Sequence, residues 1–198
     1  GAEVVGVSGI LMGAQNAHWS GHGAWTGEVS MEQVADAGAQ IVEVGHSERR
    51  EYFGETDRDV NLKVKAAIEL GLTPLVCVGE SDAVFRAGDT VSFITAQVDS
   101  ALDGIVDAST VLLAYEPIWA IGEHGRTPEQ VDLMATFCSL SQHYGDRVQA
   151  ILYGGSVNPH NNQELLGIPG VDGLFIGRSA WTAQGFLTNL KLASETTV

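Results

Sequence analysis

The sequence predicts an α/β protein built from repeated strand–helix units around a parallel sheet. Short runs rich in Val, Ile and Leu recur along the chain, and each ends in a polar or glycine-rich group followed by a helix-like segment. This alternation is typical of βα repeats. Since no Pro- or Ser-rich linker and no low-complexity tract interrupts it, we expect residues 1–198 to form a single domain.

Six apolar runs are predicted strands. They are residues 9–13, 41–45, 74–79, 111–116, 149–154 and 173–177. Nearly continuous apolar runs of this length are typical of parallel strands that helices cover.

Six segments between and after these runs are predicted helices. They are residues 30–37, 57–70, 91–102, 128–144, 161–166 and 183–193. Ser30 is a predicted N-cap, and Thr127, Pro128 and Glu129 suit the N-cap, first position and first turn of the fourth helix. Gly38 and Gly71 suit positions just after a helix end.

Charge and composition exclude some classes of partner. The chain has 198 residues, 44% of them hydrophobic, and a formal net charge of -15, which repels nucleic acid and anionic membrane surfaces. No run of 18 or more apolar residues occurs and the start has no basic n-region, so we expect neither a membrane span nor a secretory signal. Cys77 and Cys138 are expected to be buried free thiols, which suits a reducing, cytoplasmic location.

The histidines give little support for a metal site. His18 and His22 have helical spacing, but they lie in the glycine-rich stretch HWSGHGAWTG, where that spacing does not place them on one face. We expect solvent-exposed loop histidines and neither a metal nor another cofactor.

Polar residues follow each predicted strand. In parallel α/β folds the loops after the carboxyl ends of strands converge on one face and carry the chemistry. These loops hold Gln15–Asn16, His46-Ser47-Glu48-Arg49, Glu80-Ser81, Glu116-Pro117, Gly154-Gly155-Ser156 and Gly177-Arg178-Ser179.

Two of these residues are suited to proton transfer. A carboxylate at Glu116 and an imidazole at His46 supply the base and the electrophile that isomerise a hydroxy-carbonyl compound. The glycine-rich ends at 154–156 and 177–178 offer backbone N–H groups for phosphate. Together they predict a small phosphorylated carbonyl substrate, although a solvated Glu, a packed His and a simple glycine turn stay open for each residue alone.

Four stretches make a family likeness specific. The segments GAQNAHWSGHGAWTGEVS (13–30), VEVGHSERREYFGETD (42–57), AYEPIWAIG (114–122) and LYGGSVNP (152–159) closely resemble the triosephosphate isomerase family, in family order. The resemblance implies a TIM-barrel-like fold. With six predicted strands we expect an incomplete barrel, since the family has eight.

The resemblance also implies residue roles. Glu116 corresponds to the carbon base and His46 to a neutral electrophile that moves protons between the substrate oxygens. Glu48 and Ser47 would support the site, and Arg49 would reach a buried carboxylate or carbonyl. The phosphate-binding groups would be Gly122, Ser156, Gly177 and Arg178. The mobile lid would comprise Pro117, Ile118, Trp119, Ala120, Ile121 and Gly122.

Family membership further implies a homodimer and a place in glycolysis and gluconeogenesis. The loop that contains Trp25, Thr26 and Gly27 resembles the one that family dimers insert into the partner's active site.

Three departures from the family pattern keep other functions open. This chain starts near the family's third strand, so the Asn-x-Lys strand and second βα unit are not in it, and Lys63, Lys65 and Lys191 fall on predicted helices. Arg178 stands where the commoner pattern has a second glycine, as in relatives that isomerise four-carbon ketose phosphates. Glu123 follows the lid, where an acidic group disfavours phosphate.

Three functions are therefore compatible with the sequence. They are interconversion of glyceraldehyde 3-phosphate and dihydroxyacetone phosphate, isomerisation of a tetrulose phosphate, and an inactive shortened homologue that folds and dimerises. Six strands also leave three arrangements: a smaller distorted barrel, an open sheet, or burial of the gap against a second copy, which we favour.

Overall fold

The protein forms a curled half-barrel of parallel strands wrapped by helices. The computed structural model describes residues 10–121, 126 and 128–196. The strands are β1 (Gly13–Ala14), β2 (Ile41–Val44), β3 (Thr73–Val78), β4 (Leu112–Tyr115), β5 (Ala150–Gly154) and β6 (Gly173–Phe175). They lie in the order β1-β2-β3-β4-β5-β6, each paired in parallel with the next, which confirms the predicted incomplete TIM-barrel-like fold.

The two edge strands are shorter than predicted. The run 9–13 contributes only Gly13 to β1, and Gly9 lies outside the described residues. The last strand ends at Phe175 rather than at 177. In the described part of the chain, each edge strand forms a hydrogen-bond ladder on one side only. A second ladder, which would hold more residues in the strand, is not formed. Over the described residues the sheet is therefore open, with no pairing that closes it into a smaller barrel.

Eight α-helices occur among the described residues. They are α1 (Met31–Asp36), α2 (Ser47–Phe53), α3 (Asp57–Glu69), α4 (Asp82–Ala87), α5 (Thr90–Ala101), α6 (Gln130–Tyr144), α7 (Asn162–Leu166) and α8 (Ala183–Thr196). Ser30 caps α1 as predicted, and Gly38 and Gly71 follow helix ends with positive φ. Two short helices, α2 and α4, were not predicted because they begin directly in the loops after β2 and β3.

The start of α6 corrects a prediction. Glu129 is the N-cap and forms a capping box with Asp132, so Pro128 precedes the helix and does not occupy its first position. Thr127, the predicted N-cap, lies outside the described residues. The Glu129 backbone N–H donates to Asp132 Oδ2 at 3.1 Å, so a carboxylate in the first turn satisfies the helix start.

Strand side chains alternate between two packing layers. The outer face of the sheet packs against the helices and includes Val42, Val44, Leu113 and Tyr115, all at most 1% exposed. The inner face forms a separate apolar cluster of Leu75, Cys77 and Ala114, with Ile41, Leu112, Leu152 and Phe175 packed against it. This inner layer is the floor on which the candidate site rests.

Two predictions about buried and exposed side chains are wrong. Cys77 is a buried free thiol as expected, but Cys138 is exposed on α6. His18 is 5% exposed because its ring stacks on Trp19 and packs at a tilt against Trp25, at centroid distances of 4.1 and 4.3 Å. Neither feature is visible from residue type, since both depend on how a helix or loop turns.

None of the helices in the described ranges is both long enough and apolar enough to cross a membrane.

Candidate active site

The imidazole of His46 and the carboxylate of Glu116 meet at the carboxyl end of the sheet. His46 follows β2 and Glu116 follows β4, and His46 Nε2 lies 3.4 Å from Glu116 Oε1. Parallel pairing through β3 brings the ends of β2 and β4 to the same rim. The two groups that the sequence singled out for proton transfer therefore face one another.

The orientation of His46 is set by the helix that follows it. His46 is the N-cap of α2, and its Nδ1 accepts a hydrogen bond from the Glu48 backbone N–H at 3.3 Å. An accepting Nδ1 places the proton of the neutral imidazole on Nε2, which is the nitrogen that faces Glu116. Glu48 thus supports the site through its backbone, while its side chain is exposed.

The backbone before His46 is held on both sides. Gly45 has φ +75, its N–H donates to Glu55 Oε1 at 2.9 Å, and its carbonyl accepts from Arg50 Nε at 2.7 Å. A Cβ at Gly45 would also lie 3.1 Å from the Cys77 carbonyl oxygen. Glycine is therefore required here by both conformation and space.

A buried ion cluster behind this peptide was not predicted as a unit. Glu55 Oε2 pairs with Lys63 Nζ at 2.9 Å and with Arg49 Nε at 3.1 Å, and Lys63 also donates to Asn16 Oδ1 at 2.8 Å. Burial opposes ionisation, but the Lys63 and Arg49 hydrogen bonds hold the pKa of Glu55 below its ordinary value. Arg49 reaches a buried carboxylate as expected, and the cluster ties the loop after β1 to the strand end that carries His46.

Glu116 is buried and has one oxygen free. The residue is 5% exposed, its N–H donates to the Val78 carbonyl, and its Oε2 has no hydrogen-bond partner among the described residues. An unpartnered buried carboxylate oxygen costs free energy and is common where a ligand is to be met. Ser47, at the start of α2, lines the same small cleft.

The pair is electrostatically coupled when no substrate separates it. The hydrogen bond to Glu116 raises the pKa of His46 to about 9, against the opposing effect of burial. Contact with Glu116 therefore favours the protonated ring. The Glu48 N–H, which donates to Nδ1, favours the neutral form that the family resemblance implies.

The described part of the predicted lid is anchored by hydrogen bonds to the ends of neighbouring strands. Ile118–Ala120 form one turn of 3₁₀ helix, Trp119 Nε1 donates to Glu80 Oε1 at 2.7 Å, and the Ala120 carbonyl accepts from Ser156 Oγ at 2.9 Å. Pro117 and Ala120 are buried. Gly122 and Glu123 lie outside the described residues.

The other predicted phosphate groups lie at the ends of β5 and β6. Ser156 is exposed and bonded to the lid, and Gly177 directly precedes a 3₁₀ turn at Arg178–Ala180. The Arg178 side chain is exposed, and no ion pair joins it to another residue within the described ranges. The Ser179 hydroxyl donates to the Val157 carbonyl at 2.9 Å and holds the two loops together.

The predicted dimer loop is exposed. Trp25 is 48% exposed although its ring packs against His18, and Thr26 and Gly27 are exposed beside it. Tyr52 and Phe53, at the end of α2, are 70% and 68% exposed. The described ranges contain no group of three or more His, Cys, Asp or Glu residues arranged to hold a metal ion.

Comparison with known proteins places these features in a family. The family model described as triosephosphate isomerase matches residues 2–193. An L-erythrulose-1-phosphate isomerase of Mycolicibacterium smegmatis is 54% identical over 189 residues, covering 94% of this chain and 72% of that protein. An L-erythrulose-1-phosphate isomerase of Mesorhizobium japonicum is 48% identical, covering 93% of this chain and 75% of that protein.

A solved structure shares the architecture. The crystal structure of triosephosphate isomerase from Bartonella henselae superposes with a TM-score of 0.87 at 34% sequence identity, covering 97% of this chain and 81% of that one. Fold, motif order and near-complete coverage by the family model agree. The chain belongs to the triosephosphate isomerase family.

Proposed function

We propose that this chain is an isomerase that acts on a four-carbon ketose phosphate, L-erythrulose 1-phosphate. The observation that carries the proposal is the buried, unpartnered Oε2 of Glu116 beside the Nε2 of His46. Two relatives at 54% and 48% identity are named for this substrate, and for that reason we propose a four-carbon substrate in preference to a three-carbon one.

The reaction is a proton transfer between adjacent carbons. In L-erythrulose 1-phosphate, C2 is the ketone and C3 carries a hydroxyl and a hydrogen. Glu116 removes the C3 proton, the electron pair forms the C2–C3 double bond, and the C2 oxygen takes a proton from His46 Nε2. The hydroxyl at C3 then returns its proton to His46 while Glu116 protonates C2, so the carbonyl moves from C2 to C3 with no oxidant or cofactor.

Substrate binding also adjusts the charge state of His46. A substrate between the two side chains breaks the hydrogen bond that is the main cause of the raised pKa of His46. Without that hydrogen bond the imidazole acts as the neutral hydrogen-bond donor that the Glu48 amide favours. Ser156, Gly177 and Arg178 hold the phosphate, and the segment Pro117, Ile118, Trp119, Ala120, Ile121 and Gly122 covers it.

The test is turnover of L-erythrulose 1-phosphate in deuterated water, followed by NMR. We expect deuterium at the reacting carbon, with loss of at least about a thousandfold in Glu116→Gln, because that change removes the base. Glu51→Gln is the matched control, since Glu51 is exposed on α2 and outside the site. Absence of turnover in the unaltered protein would support the inactive homologue instead.

A second candidate function is isomerisation of triose phosphates. It is favoured by the match to the triosephosphate isomerase model and by the Bartonella henselae structure. A higher kcat/KM for dihydroxyacetone phosphate than for L-erythrulose 1-phosphate would select it, and would bring with it the role in glycolysis and gluconeogenesis.

A homodimer in the cytoplasm is part of the same proposal. Trp25, on the loop after β1, and Tyr52 and Phe53, at the end of α2, are exposed aromatic side chains, and exposed aromatic residues are typical of interfaces. The free thiols of Cys77 and Cys138 suit a reducing compartment. Light scattering tests the dimer: we expect twice the chain mass, falling toward the monomer in Trp25→Ser.

A further inference from the structure

One acidic side chain lies on the inner, apolar face of the sheet. In β2, Val42 and Val44 are 0% and 1% exposed on the helix-covered face, so alternation places Glu43 on the inner face with Ile41. Its register partner in β3 is Leu75, a member of the inner apolar cluster. A carboxyl group therefore interrupts a wall that is otherwise made of apolar side chains.

The carboxyl of Glu43 lies close to the reacting pair. Glu43 is two residues before Gly45, one pleat or about 7 Å below the rim that carries His46. Its charge acts on both partners, since His46 lowers the pKa of Glu43 and Glu116 raises it. Burial raises the pKa of Cys77 on the same inner face, and the charges of Glu116 and Glu43 add to that effect.

Nothing in the described part of the chain satisfies this group. No hydrogen bond or salt bridge joins the Glu43 carboxyl to another described residue. Burial is the main reason that its pKa is raised to about 7. A half-buried carboxyl with free hydrogen-bonding capacity beside a proton-transfer pair is available to a ligand.

We infer that Glu43 determines substrate length by binding the terminal hydroxyl of a four-carbon ketose phosphate. The inference rests on the proposed function. The phosphate groups at Ser156 and Gly177 follow β5 and β6, whereas Glu43 lies in β2, on the other side of Glu116 in strand order. A substrate held by its phosphate and reacting at Glu116 therefore directs its remaining end toward Glu43.

The chemistry of the two substrate lengths differs at this end. A triose phosphate ends at a reacting carbon, while a tetrulose 1-phosphate carries one further CH₂OH group. That hydroxyl can donate to the carboxylate of Glu43 or accept from its protonated form. A site built to hydrogen-bond a substrate hydroxyl discriminates strongly against the analogue that lacks it.

The experiment compares binding and turnover for both lengths. Calorimetry uses the unreactive polyol phosphates glycerol 3-phosphate and erythritol 4-phosphate, and kinetics uses dihydroxyacetone phosphate and L-erythrulose 1-phosphate. The variants are Glu43→Leu, which removes the carboxyl at similar size, and Glu43→Gln, which keeps a polar group. Ile41→Val is the matched control, because Ile41 lies on the same face one pleat deeper.

We expect Glu43→Leu to lower the preference for four-carbon over three-carbon compounds by about ten- to hundredfold, both in affinity and in kcat/KM. The affinity for the three-carbon ligand should not fall. The length preference of Glu43→Gln should lie between those of the unaltered protein and Glu43→Leu, and Ile41→Val should keep the full preference. A length preference that is unchanged in Glu43→Leu and Glu43→Gln overturns this inference and leaves the proposed function intact. If the unaltered protein neither binds nor turns over any of the four compounds, both this inference and the proposed function are overturned.

Discussion

Gly154 of β5 lies directly against the side chain of Glu116. A Cβ built at Gly154 would come within 2.6 Å of Glu116 Cγ and 3.0 Å of Phe175 Cδ1. Real Cβ atoms do not approach that closely, so any larger residue at this position must displace the carboxylate or the strand.

Gly154→Ala is therefore expected to lower kcat by about a hundredfold, because displacing the proposed base Glu116 by near 1 Å has an effect of that size. Steady-state kinetics with L-erythrulose 1-phosphate measures it. Gly13→Ala is the control, since its added Cβ would meet only ordinary contacts, the nearest at 3.6 Å. Equal kcat in the two variants would show that the packing of Gly154 does not set the position of Glu116.

The ion pair predicts how stability depends on pH. The pKa of His46 is raised from 6.5 to about 9 by its contact with Glu116. The stabilisation of the folded state by this pair is therefore fully present below pH 6.5 and is lost as pH rises through about 9. The difference in unfolding free energy between the unaltered protein and His46→Gln should shrink by roughly 1 to 3 kcal/mol over that range. Urea unfolding at several pH values measures it, and a difference that grows toward pH 9 would contradict the pairing.

The buried cluster behind Gly45 predicts a large effect on stability. Lys63→Met leaves the carboxylate of Glu55, whose side chain is 2% exposed, without its main partner. Breaking one side of a buried ion pair costs about 3 to 5 kcal/mol. Lys191→Met is the control, because the Lys191 side chain is 78% exposed and pairs only at 3.9 Å with Glu195.

Chemical denaturation measures the free energy of unfolding of both lysine variants. The double variant Glu55→Gln/Lys63→Met is measured in the same way. We expect the double variant to recover part of the loss, since it no longer buries a carboxylate that has lost one of its two cations. Similar losses in Lys63→Met and Lys191→Met would show that the cluster is not important for stability.

The pattern of the chain revealed much of the fold. Apolar runs separated by helical segments identify all six strands to within a few residues, because a strand covered by helices has to be apolar along most of its length. The residues after the strands identify His46 and Glu116, because parallel strands bring their carboxyl ends to one rim. The short helix α2 escaped prediction because its cap is the imidazole of His46, which helix-start rules do not seek.

The amino-acid order by itself determined the class of fold, the family and the two groups suited to proton transfer. Only the tertiary structure decided how they are held and tuned: the pairing of Glu55 with Lys63, the close packing of Gly154 on Glu116, and the place of Glu43 on the inner face of the sheet. Local propensity and residue type depend on neighbours along the chain. Burial, charge pairing and pKa depend on neighbours in space, and these neighbours are known only once the strands have assembled into the curled sheet.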